Sequence, residues 1–389
     1  MDDSNFYSNM VDQETQVCSE DLNITNDNSE IERILISCTR IIDVQATQNH
    51  VDIQVDIHFP IQQQFSDNST ETEKKILYDK FTEAEDNICF QGFATIKDNE
   101  GGLKSLCGVS KNAFNLLLKM CPKTNCEKRK ISYENRLTIF LMKMKLNLTF
   151  SALSVLFNIH RTTVSDIFKS VLTDLTPICK NFVQWPCPEV ADYLMPECFK
   201  PKYEKCRVII DCTEYRVEQP PGIEKRNFFY SQYKKGFRMK AEIGCTPNGH
   251  VSFISKLYGG RATDAQITIE SGLINLLEPN DVVLADKGFP EIQSVIDSTG
   301  KNILLVMPPF LENGEFTAEE VQETKNIASV RIHIERIMAR IRIYKILDLI
   351  THDLYPFSDD ILFMCCVLVN LQPPIIKLEN EELDEEMKK

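Results

Sequence analysis

Apolar residues recur in two different rhythms along the 389-residue chain, and the rhythm changes near residue 205. Between residues 102 and 175 they return every three to four positions, the spacing of one helix face. "SKNAFNLLLKM" offers Ser110 as an N-cap, with Phe114, Leu117 and Leu118 on one side. "NRLTIFLMKMKLNL" carries Leu137, Phe140, Leu141, Met144 and Leu148 at the same spacing. Thr149 then caps a short helix with Leu153, Leu156 and Phe157 apolar, "NIHR" turns the chain, and a third helix lines up Val164, Ile167, Phe168, Val171 and Leu172. A short helix, a brief turn and a second one-sided helix have helix-turn-helix spacing. The far side of the last helix presents Arg161, Thr162, Ser165 and Lys169, which can reach phosphates or base edges. An ordinary three-helix bundle would show the same pattern, so both readings stay open on the pattern alone.

After Lys205 the texture is that of strands. "CRVIIDCTEYRVEQ" is an apolar run stopped by Pro220 and Pro221. "FRMKAEIGCTPNGHVSFISKLYGG" reads as a hairpin turning at Asn248-Gly249. "DAQITIESGLINLL" is helical, "VVLAD" a strand, "EIQSVIDSTG" a short helix, "NILLVMPP" a strand, and residues 325–345 a long helix. Antiparallel strands first and alternating helices afterwards predict an α/β domain over 206–377, a mixed five-stranded sheet flanked by helices. That order matches an RNase H-like core. An all-α region over 91–176, with the helix-turn-helix at 131–176, precedes it. Between them, residues 177–205 read as an extended Pro-rich linker, with the single tryptophan, Trp185, as a packing anchor. Residues 1–32 are polar and read as disordered, whereas "VDIQVDIHF" at 51–59 alternates like a strand.

Charge changes this picture. The net charge is −14, yet residues 1–90 hold 19 acidic and 5 basic side chains, and residues 379–389 hold 6 and 2. The middle of the chain is therefore mildly basic, and the acidity does not exclude nucleic acid as a partner. Residues 1–90 are read as an acidic, mostly disordered region and 378–389 as an acidic tail. No apolar run reaches 18 residues, and the first ten residues lack the basic start and apolar stretch of a secretory leader. Fourteen cysteines without such a leader point to reduced thiols in the cytosol or nucleus. Cys121 and Cys126 are a close pair with no second pair at zinc spacing.

Three acids occupy unusual places. Asp211 follows Val208, Ile209 and Ile210 inside the first strand, where a charge is costly unless paired or metal-bound. Asp286 ends "VVLAD", just before Lys287 and a glycine that permits a sharp turn. Glu335 lies on the long helix beside the stripe Val330, Ile334, Ile337, Met338 and Ile341, with Arg331 one turn earlier and Arg342 two turns later. Carboxylates without soft ligands select a hard divalent cation, Mg²⁺ or Mn²⁺. Two such ions about 3.5–4 Å apart can activate a water or 3′-hydroxyl and stabilise the leaving oxygen of a phosphodiester. Any one of these acids alone reads as a salt bridge or a cap.

Residues 206–371 resemble the catalytic domain of PIF/Harbinger-type DDE transposases, the DDE superfamily endonucleases. The resembling segments are "VIIDCTEYRVEQP", "YSQYKKGFRMKAEIGCTPNGHVSFISKLYGGRATDAQITIESG", "VVLADKGF" and "RIHIER". The resemblance implies that Asp211, Asp286 and Glu335 are the catalytic and metal-binding triad, and that the partner is double-stranded DNA at transposon ends and target sites. It implies strand transfer, a nuclear location, and a homo-oligomer or accessory DNA-binding protein as a partner. In related bacterial insertion-sequence enzymes a tyrosine, an arginine, the glutamate and a lysine recur on the last helix. Here Arg331 and Glu335 fit, Ala328 replaces the tyrosine and Arg342 the lysine. Arg331 and Arg342 are thus further candidates for DNA contact.

Asp264, in "GGRATDAQI", also matches a family motif and rivals Asp286, but reads as a helix cap. Glu214 faces away from Asp211 and reads as structural. Arg226, Lys234, Lys235 and Arg238 form a basic cluster that either follows a DNA backbone or is a solvated face. The zinc finger that often begins such proteins is not expected, because Cys18, Cys38 and Cys89 lack its spacing. A domesticated DNA-binding protein without transposition is the competing function.

Overall fold

A computed structural model describes residues 90–122, 131–309 and 316–376. The strand expected at 51–59, the disorder expected in the acidic N-terminal region and the acidic tail lie outside the described residues. No described helix is long and apolar enough to cross a membrane.

The helical region comprises α1 (Phe93–Ile96), α2 (Glu100–Cys107), α3 (Lys111–Met120), α4 (Tyr133–Leu146), α5 (Phe150–Phe157) and α6 (Arg161–Ile178). Each longer helix starts at a side chain that accepts from a free backbone N–H, as capping requires. Ser110 accepts from Ala113, Ser132 from Asn135, and Thr149 from Ala152. Asn158, in the left-handed region at φ 51, closes α5, and His160 opens α6. The predicted stripe of α6 is buried throughout. Burial of each such Leu, Ile or Phe side chain contributes about 1.5–3 kcal/mol.

Residues 177–205 are not an extended linker. They hold α7 (Pro188–Tyr193) and α8 (Lys200–Tyr203), and Met195, Phe199 and Tyr203 are buried. Pro188 opens α7 at the position where a missing N–H costs nothing, so the prolines start helices here as well as bending the chain. Trp185 packs edge-on against Phe253 of the domain that follows.

That domain contains β1 (Cys206–Arg216), α9 (Ile223–Phe229), β2 (Tyr230–Ser231), β3 (Gly236–Cys245), β4 (Val251–Ile254), β5 (Tyr258–Gly259), α10 (Asp264–Glu270), α11 (Leu273–Leu276), β6 (Val282–Leu284), α12 (Ile292–Ser298), β7 (Leu304–Val306), α13 (Ala318–Ile341) and α14 (Ser358–Asn370). Seven described strands form the sheet, two more than expected. The order is β2-β3-β1-β6-β7, with β4 and β5 also on β3. The two-residue strands β2 and β5 account for the excess and are too short to read from a period-2 pattern. The β3–β4 hairpin turns at Asn248-Gly249, where Gly249 has φ 85, a conformation that favours glycine. "DAQITIESGLINLL" is two helices, split at Gly272. The long helix begins at Ala318, earlier than its apolar stripe suggests, because Thr317 and Glu320 form a reciprocal capping box.

Strand alternation gives the sheet two different faces. Val208 and Ile210 pack with α10–α12 in one core cluster. Ile209, Ala241 and Ile243 face α13 and α14, in a cluster continuous with the helical region. Tyr344 donates to the Gly108 carbonyl at 3.2 Å, and Asn370 to the Phe182 carbonyl at 2.8 Å, tying the two regions together.

Candidate active site at the sheet edge

Strand register does the first part of the assembly. β1 and β6 run parallel, with Ile209 opposite Leu284. Two residues further along each strand are Asp211 and Asp286. Adjacent strands lie about 4.8 Å apart, so two acids 75 positions apart in the chain emerge side by side. Asp211 is half-buried on β1, and Asp286 is half-exposed just past β6. The backbone N–H of Lys287 donates to Asp286 Oδ1 at 2.8 Å and fixes its orientation.

Helix α13 supplies the rest. Its apolar stripe Val330, Ile334, Ile337, Met338 and Ile341 is buried against the sheet, which aims the flanking Arg331 and Glu335 at the strand ends. Arg331 Nη1 lies 3.3 Å from Asp286 Oδ1, and Nη2 lies 3.9 Å from Glu335 Oε1. The arginine side chain is only 12% exposed, while Asp286 and Glu335 are 52% and 57% exposed. Burial, reinforced by the negative charges of Glu335 and Asp286, pushes the Asp211 carboxyl up to about 6, against the opposing pull of Arg331. Asp286 and Glu335 thus share one guanidinium, whose charge also acts on Asp211. Its Nε and Nη2 are buried without a hydrogen-bond partner, so its donors are not exhausted. Among the described residues no three His, Cys, Asp or Glu side chains stand close enough to enclose an ion as placed.

The rival Asp264 has a different environment. Thr263, not Asp264, caps α10, by accepting from Gln266. Asp264 Oδ1 instead meets Lys240 Nζ at 3.2 Å. Lys240 also lies 3.5 Å from Glu214, and Glu214 the same distance from Arg238. This ladder of alternating charge runs along the sheet face opposite Asp211. Gly288 lies beside it, where a Cβ would come 3.3 Å from Asp264 Oδ2.

Sequence reasoning missed Glu242. It is fully buried on β3 opposite Cys212, and accepts from Thr268 at 2.6 Å and Ser271 at 3.1 Å. Burial pushes its carboxyl up to about 7, against the two hydroxyl donors. The period-2 run "FRMKAEIGC" does place Arg238, Lys240 and Glu242 on one face, a polar stripe that could have flagged it.

The candidate DNA-contacting residues separate. Arg161 is exposed at the first turn of α6. Thr162 shares a 2.8 Å hydrogen bond with His160 Nδ1 at the cap, Ser165 is half-buried, and Lys169 Nζ sits 5.7 Å over the Phe357 ring. Arg342 is exposed at the C-cap of α13, seven residues beyond Glu335, which is about 10 Å along a helix. The basic cluster is split as well: Arg226 donates to the Pro220 carbonyl at 2.7 Å and Arg238 is engaged by Glu214, leaving Lys234 and Lys235 exposed in the β2–β3 turn.

Two known families match parts of the chain. Residues 210–370 match the DDE superfamily endonuclease, and residues 129–175 match the helix-turn-helix of DDE superfamily endonuclease. No curated protein and no solved structure matches the chain. The sheet with its cluster of acids is thus similar to the endonuclease domain of the DDE superfamily endonucleases, and the helical region before it to their helix-turn-helix.

Proposed function

We propose that this protein is a divalent-metal-dependent DNA endonuclease of the PIF/Harbinger transposase type. On this reading it has an RNase H-like core, cuts phosphodiesters at transposon ends and joins the 3′-hydroxyl to target DNA. The observation that carries the proposal is that the parallel β1–β6 register brings Asp211 and Asp286 side by side, with Arg331 of α13 3.3 Å from Asp286 and 3.9 Å from Glu335.

The donor set fits a hard cation. All three groups are carboxylates, two are open to solvent, and the neighbouring Cys212 faces the other side of the sheet. Asp211, Asp286 and Glu335 would hold Mg²⁺ or Mn²⁺. When bound, the metal supplies activation of the attacking oxygen and stabilisation of the leaving one. The chain's own residues do the positioning. The β1–β6 register fixes the separation of the two aspartates, and α13 carries Glu335 in rigid geometry. Arg331 holds Asp286 and Glu335 from one planar guanidinium, a geometry that suits arginine. The helix-turn-helix grips the duplex through Arg161 and its neighbours, and work in the nucleus follows from the DNA substrate. A second copy or an accessory DNA-binding protein would bring the two ends together.

The test is incubation of the purified chain with labelled DNA ends, with and without Mg²⁺. Cleavage that needs the metal and disappears in Asp211→Asn supports the proposal. Metal-independent cleavage, or cleavage by Asp211→Asn at the normal rate, would sink it.

A further inference from the structure

A cluster of cations lies where the helical region meets the endonuclease domain. Lys145 is in the last turn of α4, which closes at Asn147 in the left-handed region. Across the junction, α13 gives way to the buried Tyr344 and a 3₁₀ turn over Lys345–Asp348. The two pieces are locked together. Besides the bond from Tyr344 to the Gly108 carbonyl, Asn147 Nδ2 donates to the Leu349 carbonyl at 3.5 Å. The stem of Lys145 packs into the same joint: a Cβ on Gly108 would lie 3.0 Å from Lys145 Cδ and 3.1 Å from the Tyr344 ring.

Two ammonium groups, one from each region, are thereby held as neighbours. Burial, and then the charge of Lys345, hold the Lys145 ammonium below its ordinary value, and no carboxylate opposes them. Among the described residues Lys145 makes no ion pair. Lys345 meets Asp348 at 3.5 Å, both side chains more than half exposed, a contact that contributes little. The nearby Lys143 is different. It donates to Asn147 Oδ1 at 2.8 Å and to the Leu148 carbonyl at 3.0 Å, with the charge of Asp353 supporting it. Lys143 is thus committed to the α4–α5 turn, whereas Lys145 and Lys345 repel each other and are relieved by an anion.

Their position points to the anion. Arg342 is seven residues beyond Glu335, two helical turns, so it continues the face of α13 that carries the acid, and Lys345 follows it. Pairing of β1 with β6 ends at Ile209, and further along the same edge of β1 Val217 bridges to Ile350. Val217 is six residues from Asp211, roughly 20 Å of strand, or about six base pairs of duplex. Thr149, four residues after Lys145, opens α5, the helix that crosses the DNA backbone in a helix-turn-helix. The lysines therefore stand between the triad and the helix-turn-helix.

We infer that Lys145 and Lys345 form a phosphate-backbone site at this junction, one phosphate to each ammonium, which fixes the duplex between the helix-turn-helix and the acids. The inference rests on DNA being the substrate of the proposed nuclease.

The test measures affinity of the full chain for a fluorescent duplex in EDTA over a range of salt concentrations. Lys345→Gln should lower the slope of log affinity against log salt by about 0.9, and Lys145→Gln with Lys345→Gln by about 1.8. Lys145→Arg with Lys345→Arg, which keeps both charges, should restore the wild-type slope. Lys345 is exposed, and Lys345→Gln removes the repulsion, so its melting temperature should be no lower than that of wild type. A wild-type slope in the double glutamine variant overturns the inference, as does a slope that the arginine variant fails to restore. Wild type that binds no DNA overturns the proposed nuclease as well. Because no metal is present, a failure of metal-dependent cleavage leaves the slopes untouched, so the two proposals fail separately.

Discussion

The two faces of the central sheet carry acids in comparable numbers and treat them in opposite ways. On one face Glu214 and Asp264 are neutralised by Arg238 and Lys240, and Glu242 is capped by two hydroxyls. On the other, Asp286 and Glu335 share Arg331, whose charge also acts on the buried Asp211. Paired or hydrogen-bonded acids of this kind hold a fold together. An under-compensated set carries a cost that only a further cation relieves, and such cost tends to persist where chemistry is done. Acids that look alike in sequence therefore divide by the cations placed opposite them.

The largest expected effect tests that division directly. Asp211→Asn, Asp286→Asn and Glu335→Gln should each reduce metal-dependent cleavage by about a thousandfold or more, with folding intact by circular dichroism. Asp264→Asn should stay within about tenfold of wild type, since a part-buried ion pair contributes on the order of 1 kcal/mol. Normal cutting by Asp286→Asn with a dead Asp264→Asn would reverse the roles of the two faces.

Arg331→Gln should destabilise the metal-free protein by about 1 kcal/mol or less, because it leaves the half-exposed Asp286 and Glu335 without the cation they share. Added Mg²⁺ should then raise the melting temperature of the variant more than that of wild type. An equal rise in both would mean that the arginine and the metal do not compensate the same charges.

Glu242 gives a pH signature on the first face. Its carboxyl is raised to about 7 in the fold, so the folded chain holds the proton more tightly than the unfolded one. The stability this contributes is complete below the ordinary carboxylate range and is lost as pH rises through 7. Glu242→Gln should therefore melt at the wild-type temperature near pH 4 and several degrees higher at pH 8. A variant that is less stable at pH 8 would show that the ionised form is the one Thr268 and Ser271 stabilise.

The smallest effect extends the distinction between free and engaged groups to the helix-turn-helix. Arg161→Ala should lower the slope of log affinity against log salt by about 0.9, one phosphate contact. Lys169→Ala should leave the slope nearly unchanged, because its ammonium is held over Phe357 at the junction with the endonuclease domain. Equal changes in both would return Lys169 to the DNA surface.

The sequence by itself determined the local features. The helical stripes of α4 and α6, the caps at Ser110 and Thr149, the turn at Asn248-Gly249 and the strand that stops at Asp286 all follow from spacing and short-range chemistry. The motifs around Asp211, Asp286 and Glu335 were legible for the same reason, since each breaks an apolar run in a particular way. Tertiary structure alone decided the rest. The two-residue strands β2 and β5 exist only because β3 is there to pair with, and the helices within residues 188–203 close against a domain that the prolines did not announce. The choice between Asp286 and Asp264 as neighbour of Asp211 was likewise not local. It was made by the parallel register of β1 with β6 and by where α13 delivers Arg331 and where β3 delivers Lys240. Charge compensation acts over a few ångströms of space, and residues 24 and 45 positions apart in the chain meet only after the sheet and its helix have closed.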